Sequence, residues 1–205
     1  ASKFGGSATH LTVKVTAVDM TPQILEIMKI KPDFITVYGV SNTAILLMKG
    51  LSQYGLKIPT FGITYLGAPQ MFQSMGGEAA ANYKFISCFT PGGADQTPGN
   101  KALSQYADTI GRDEMKQDIN YVAGWITGQM AAEALTKLGQ NPTRARLIET
   151  LSKGFTVNTQ GLTAPITYTP TNNTGPVVFK LIGYDFAVNK FKAYGDFADY
   201  EKYTR

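Results

Sequence analysis

The chain is nearly devoid of the side chains on which most enzyme and metal chemistry depends: one cysteine, one histidine and one tryptophan in 205 residues. A single cysteine cannot form an intramolecular disulfide, and Cys88 lies in the apolar run Phe85-Ile-Ser-Cys-Phe89, where a thiol serves as a small buried filler. Hydrolysis by a Ser–His pair would have to use His10, which sits in a loosely patterned lead-in far from any convincing nucleophile. Metal sites draw on His, Cys or clustered carboxylates. Only carboxylates remain, and Asp113, Glu114 and Asp118 read as a solvated turn between helices. Charge is not concentrated either. The formal net charge is +4, and the basic residues are scattered or paired, as in Arg144/Arg146 and Lys190/Lys192, which excludes the dense basic face of a nucleic-acid binder. No apolar run reaches the roughly 18 residues of a membrane span. No signal-peptide pattern opens the chain, which begins Ala1-Ser2-Lys3 without methionine; that start fits a processed or partial chain and does not argue for the cytoplasm.

Two segments imitate catalytic motifs and fail on chemistry. Gly39-Val-Ser41-Asn-Thr43 resembles a nucleophile elbow, but Thr stands where the second glycine is needed, and capping the following helix is a sufficient role for Ser41. Gly93-Ala-Asp-Gln-Thr-Pro-Gly99-Asn-Lys101 imitates a phosphate loop with its glycines one residue too far apart, Asn before Lys, and Ala102 where a magnesium-binding hydroxyl belongs. No catalytic residue, metal or cofactor is expected.

What the chain does contain is an apolar fraction of 43% against 17% charged, enough for an ordinary globular core. Its most informative stretch, 31–68, reads as strand, helix, strand. Residues 34–37 are short, apolar and β-branched, as suits a strand buried on both faces, and stop at Tyr38-Gly39. Ser41, Asn42 and Thr43 offer oxygens to the first turn of a helix whose buried stripe is Ala44, Leu47, Met48 and Leu51, and Gly55 ends it. Residues 58–63 form the next strand. So short a helical crossover implies a parallel pair, so both strands finish on one edge of the sheet, where open α/β sheets hold ligands. That edge carries Tyr38, Ser41 and Asn42 from one strand end and Thr64 and Tyr65 from the next. Hydroxyls, an amide and aromatic rings without an acid, base or metal ligand suit holding a small molecule rather than transforming it.

Elsewhere the sequence predicts an edge strand over 11–15 (LTVKV) and a helix opened by Thr21-Pro22 with Ile24, Ile27 and Met28 buried. It also predicts a loop and short helix over 69–82 and a strand over 83–90. Residues 91–99 are a turn-rich crossing point between lobes. Helices follow over 101–110, 119–138 (capped by Gly139) and 142–152, then a polar irregular stretch over 156–164. β-rich segments come at 165–169 and 177–184, turns at 170–176, and a final pair around 191–194. The helices of 100–153 have no parallel strands to cover. Their sheet must come from chain preceding Ala1 or from a second copy.

Six segments in order resemble the type I periplasmic solute-binding proteins of ABC transporters, in the branch of the Leu/Ile/Val-binding receptors. They are Asp19-Met-Thr-Pro-Gln-Ile-Leu, Lys31-Pro-Asp-Phe, Gly55-Leu-Lys-Ile-Pro, Thr97-Pro-Gly, Tyr121-Val-Ala-Gly-Trp125 and Gly161-Leu-Thr-Ala-Pro-Ile-Thr-Tyr-Thr-Pro170. The resemblance implies an α/β, type I periplasmic binding fold: a C-terminal lobe with its parallel sheet largely present, and an N-terminal lobe represented mainly by helices without its sheet. Residues 1–89 would belong to the C-terminal lobe, 90–165 would return to the N-terminal lobe, and 166–205 would go back. The 205 residues then look like the later part of a receptor.

In the family's amino-acid receptors an aromatic after the first strand and a carboxylate after the second contact the ligand. Val40 and Thr64 stand at those positions, Tyr65 follows, and Tyr121 matches a further aromatic at the start of a long helix. Without the carboxylate a buried ammonium group has no partner, so the expected ligand is uncharged or anionic, and an aromatic or other organic acid stands ahead of an amino acid-like one. The implied role is a periplasmic, non-enzymatic receptor serving a membrane permease, with its missing N-terminal part or a second copy as partner. A sensor of the same fold reporting to a regulatory partner is the alternative.

Overall fold

The computed structural model describes residues 5–175 and 177–200. The lead-in at 1–4, Pro176 in the expected 170–176 turn, and the 201–205 tail lie outside them. The elements run α1 (Thr21–Ile30), β1 (Ile35–Val37), α2 (Ser41–Gln53), β2 (Thr60–Gly62), a 3-10 turn (Thr64–Leu66), α3 (Pro69–Met75), α4 (Gly77–Ala80) and β3 (Tyr83–Ser87). Then come α5 (Pro98–Thr109), a second 3-10 turn (Asp113–Gln117), α6 (Ile119–Leu138), α7 (Arg144–Ser152), β4 (Phe155–Val157), β5 (Ile166–Tyr168), β6 (Val178–Asp185) and β7 (Lys190–Asp199).

A five-stranded sheet is ordered β1-β2-β3-β6-β7, with β1, β2 and β3 parallel and β6 and β7 added antiparallel. The mixed α/β class with a parallel-containing sheet is therefore as expected, and the strand–helix–strand unit of 31–68 pairs Val37 with Gly62 as parallel neighbours. The helical crossovers pack one face of the sheet. Ile24 and Ile27 of α1, the Ala44, Leu47, Met48 and Leu51 stripe of α2, and Met71, Phe72 and Met75 of α3 join Val37, Tyr83, Phe85, Ile182 and Phe191 in one core. A second core gathers Phe89, Leu103, Ile119, Val122, Ile126, Leu162 and Ile166 around α5, α6 and a two-stranded β4-β5 ribbon.

Local expectations fail at five places, each for a physical reason. The run 34–37 is not buried on both faces: Val37 points into the core, while Phe34 is 59% exposed and Thr36 is exposed, because nothing among the described residues covers them. Residues 11–15 form no strand: Leu11 and Val13 pack on the first core, yet no neighbouring strand among the described residues offers a ladder to them. The first turn of α2 receives no side-chain cap. Val40 occupies the cap position, so Ser41, Asn42 and Thr43 sit one position too late to serve. Met28 turns away from the α1 stripe and is exposed. Finally, 156–164 is not wholly irregular, because β4 finds β5 as an antiparallel partner, Thr156 facing Thr167.

Candidate functional site

The site region grows from the ends of β1 and β2, adjacent rungs of the parallel ladder. After Val37 the chain leaves the sheet at Tyr38, which is 87% exposed, and Val40 then leads into α2. Ser41 opens the helix half-buried, and the Asn42 amide is already engaged, Nδ2 donating to the Ala17 carbonyl at 3.1 Å. Because the Val40 side chain carries no oxygen, the first N–H groups of α2 meet no side-chain acceptor among the described residues, leaving the positive end of the helix dipole at this edge. After Gly62 the chain makes the Thr64–Leu66 turn. The Thr64 hydroxyl donates to the Ile86 carbonyl at 2.9 Å, tying the β2 end to β3, while Tyr65 is 65% exposed. A buried Tyr83 hydroxyl donates to the Leu66 carbonyl at 2.7 Å and closes the turn from below. The structure thus brings Tyr38, Val40, Ser41, Asn42, Thr64 and Tyr65 to one sheet edge.

Tyr121 comes from a different element. It lies in the first turn of α6, whose N-cap Asp118 accepts from the Asn120 and Tyr121 N–H groups. Its ring packs on Trp125, which in turn meets Tyr106. The Tyr121 hydroxyl is buried and finds no hydrogen-bond partner among the described residues, and that desolvation, with Tyr106 alongside, pushes its pKa up. The segments 88–99 and 159–163 run side by side. Thr90 N donates to the Leu162 carbonyl, the Thr163 hydroxyl to the Cys88 carbonyl, and Gly99 N to the Gln160 carbonyl. Gly92 is pressed so closely on the Lys116 carbonyl that no Cβ would fit.

Sequence reasoning missed a small hollow of about 30 Å³ where Ala68, Pro69 and Gln70 face Glu114 and the α6 start at Asp118, Ile119 and Asn120. Its walls come from the start of α3, the second 3-10 turn and the start of α6, which are distant in sequence, and no local motif signals their approach. Cys88 is half-buried beside Thr64, and desolvation pushes its thiol above the ordinary value against weaker opposing hydrogen bonds. Its expected reaction with a thiol reagent at neutral pH is therefore much slower than that of a free cysteine, as absorbance of the released thiolate would record. Among the described residues there is no cluster of three or more metal-binding side chains, and no helix is long and apolar enough to cross a membrane.

A family model described as periplasmic binding protein matches residues 1–181, and the chain belongs to that family. Solved structures agree on the fold. A fatty acid ABC transporter substrate-binding protein from Thermomonospora curvata superposes with a TM-score of 0.75 at 22% identity, covering 92% of this chain and 49% of that one. A branched chain amino acid ABC transporter from Thermus thermophilus with bound valine gives 0.70 at 19%, covering 88% and 50%. A leucine-binding protein from Thermotoga maritima gives 0.70 at 15%, covering 98% and 54%. The chain therefore spans about half the length of these structures. A search of curated proteins finds no match.

Proposed function

We propose that the protein is the ligand-capturing receptor of an ABC-type importer, working outside the cytoplasm and handing a small organic ligand to a membrane permease. Residues 1–89 and 166–205 belong to one lobe and 90–165 to the other, with the ligand between them and the remaining half of the receptor, or a second copy, supplying the rest of the wall. The observation that carries this reading is the convergence of the β1 and β2 ends on one edge furnished with hydroxyls, an amide and aromatic rings. Closure follows from population shift, because a ligand touching both lobes binds the shut form better than the open one.

An organic acid fits this edge better than a zwitterion. Thr64 offers a hydroxyl where an ammonium group would need a carboxylate, whereas the uncapped start of α2 and the Ser41 hydroxyl suit a carboxylate. Tyr38, Tyr65 and Tyr121 would take its apolar body. The neighbour from Thermomonospora curvata is described as a fatty acid receptor, which supports looking among aliphatic as well as aromatic acids. In a thermal-shift screen of the longer receptor, a true ligand at about a hundred times its Kd adds about 2.7 kcal/mol of stability. No stabilisation by any amino, aromatic or aliphatic acid would count against the reading. Ser41→Ala should then weaken binding of the acid found by about 1.5–3 kcal/mol, measured by calorimetry, if the hydroxyl holds the carboxylate.

A further inference from the structure

A hollow of about 320 Å³ opens between α2 and the α3–α4 pair, on the helix-covered face of the five-stranded sheet. Its cause is local. α3 ends at Met75, the chain turns at Gly76 with φ +82°, a conformation that other residues rarely adopt, and Gly77 starts α4, so two successive residues bring no side chain to fill the space beside α2. Met75 and Ala79, both buried, form the floor. The volume is that of a small-molecule site, roughly 300–1,000 Å³. Lys49 on its rim stands about 12 Å along α2 from Ser41, at roughly 1.5 Å per residue, so the hollow is distinct from the edge formed by the strand ends.

Charge gives the hollow its selectivity. Lys49 and Glu78 both line it, one from α2 and one from α4, and neither makes an ion pair among the described residues. The Ser52 hydroxyl and the Gln53 amide line it too, likewise without a hydrogen bond among those residues. Acids and lysines one turn apart on other helices behave differently: Glu26 meets Lys29, Glu133 meets Lys137 and Glu149 meets Lys153. Here a cation and an anion share one concave surface and stay apart. A simple anion drawn to Lys49 would be repelled by Glu78, a simple cation drawn to Glu78 would be repelled by Lys49, and a molecule carrying both charges satisfies the two at once.

We propose that this hollow is a second binding site, taking a small zwitterion whose ammonium group and carboxylate are joined by a short carbon chain. The carboxylate meets Lys49 and the ammonium meets Glu78, while the chain lies on Met75 and Ala79 and the Ser52 hydroxyl and Gln53 amide supply hydrogen bonds to the charged ends. This ligand differs in charge from the organic acid proposed for the strand ends. The site lies wholly within helices that share one core, so failure of the acid screen leaves it standing, and its own failure leaves the screen standing.

Methionine-methyl NMR of the full chain at neutral pH tests it. Met75→Leu, a volume-conserving change, assigns the Met75 signal, and Met130, which packs on the other two cores, is the internal reference. The probes are 4-aminobutanoate and 6-aminohexanoate, against hexanoate and hexylammonium at the same ionic strength. At least one of the two zwitterions should move the Met75 methyl saturably and leave Met130 in place, while hexanoate and hexylammonium should need severalfold higher concentrations. Lys49→Met and Glu78→Gln, at exposed positions that the core does not use, should each remove that preference. A Met75 signal that neither zwitterion moves, an equal response to hexanoate or hexylammonium, or a preference that survives both substitutions overturns the proposal.

Discussion

Asp95→Asn is expected to cost the protein about 3 kcal/mol of unfolding free energy in urea, while Lys180→Met costs far less and the double variant recovers most of the loss. Lys180 is 5% exposed, and its ammonium group meets the Asp95 carboxylate at 2.6 Å. It sits where β6 and β7 fall out of register: Phe179 pairs with Ala198 but Leu181 with Tyr194, leaving Gly195, at φ +84°, Asp196 and Phe197 looped out. That bulge lays the Phe197 ring 4.6 Å from the ammonium. The amide cannot offset the desolvated charge, so Asp95→Asn strands it; Lys180→Met removes the charge and leaves a partly exposed carboxylate that water can reach. Equal losses in the two single variants, or none in either, would defeat this account. Asp95 stands in the turn-rich segment between β3 and α5, with its carbonyl accepting from Asn100 Nδ2, so the ion pair fastens that segment to the sheet.

Features decided within a few residues were legible in the sequence. The stripe of Ala44, Leu47, Met48 and Leu51, the parallel pairing of the strands on either side, and Gly139 at the end of α6 all follow from spacing and from one glycine. The edge that carries Tyr38, Ser41, Thr64 and Tyr65 was readable because parallel pairing alone puts two strand ends together. What failed depended on partners distant in sequence. LTVKV has the alternation of a strand but needs a neighbour to become one. Residues 156–164 read as a polar irregular stretch, and its first two residues become strand only because 166–168 come alongside. The start of α2 is set by spacing only to within a residue, and that one residue decides whether Ser41 or Val40 takes the cap position. The Asp95–Lys180 pair spans 85 positions and a bulge, and nothing local to either residue announces it.

Phe72→Ala should be as damaging as Asp95→Asn, at about 3–5 kcal/mol, and should loosen the site as well. Phe72 is fully buried, and its ring meets those of Tyr83 at 5.5 Å, Phe85 at 6.1 Å, Tyr184 at 5.1 Å and Phe191 at 6.0 Å. Removing it leaves a cavity bounded by rings on three strands, which the sheet cannot close without shifting β3 against β6 and β7. Phe72→Leu keeps part of the volume and should cost less than half as much. The fall in melting temperature for the alanine variant is roughly 10 °C. The link to the site is short. Phe72 anchors α3, which begins at Pro69, three residues after the Thr64–Leu66 turn. That turn is held by Tyr83 and by Gly67, whose backbone lies so close to the Phe85 ring that a Cβ would approach it to 2.4 Å. Disturbing Tyr83 and Phe85 therefore disturbs the seat of Thr64 and Tyr65, and Phe72→Ala should lose both stability and ligand affinity. Tyr65→Ala provides the contrast, because an exposed ring contributes little to the core: affinity should fall while the unfolding free energy of the free protein stays within about 0.5 kcal/mol of its original value. If Tyr65→Ala instead unfolds the protein, or Phe72→Ala leaves both measurements unchanged, then the turn is not seated by the aromatic core beneath it.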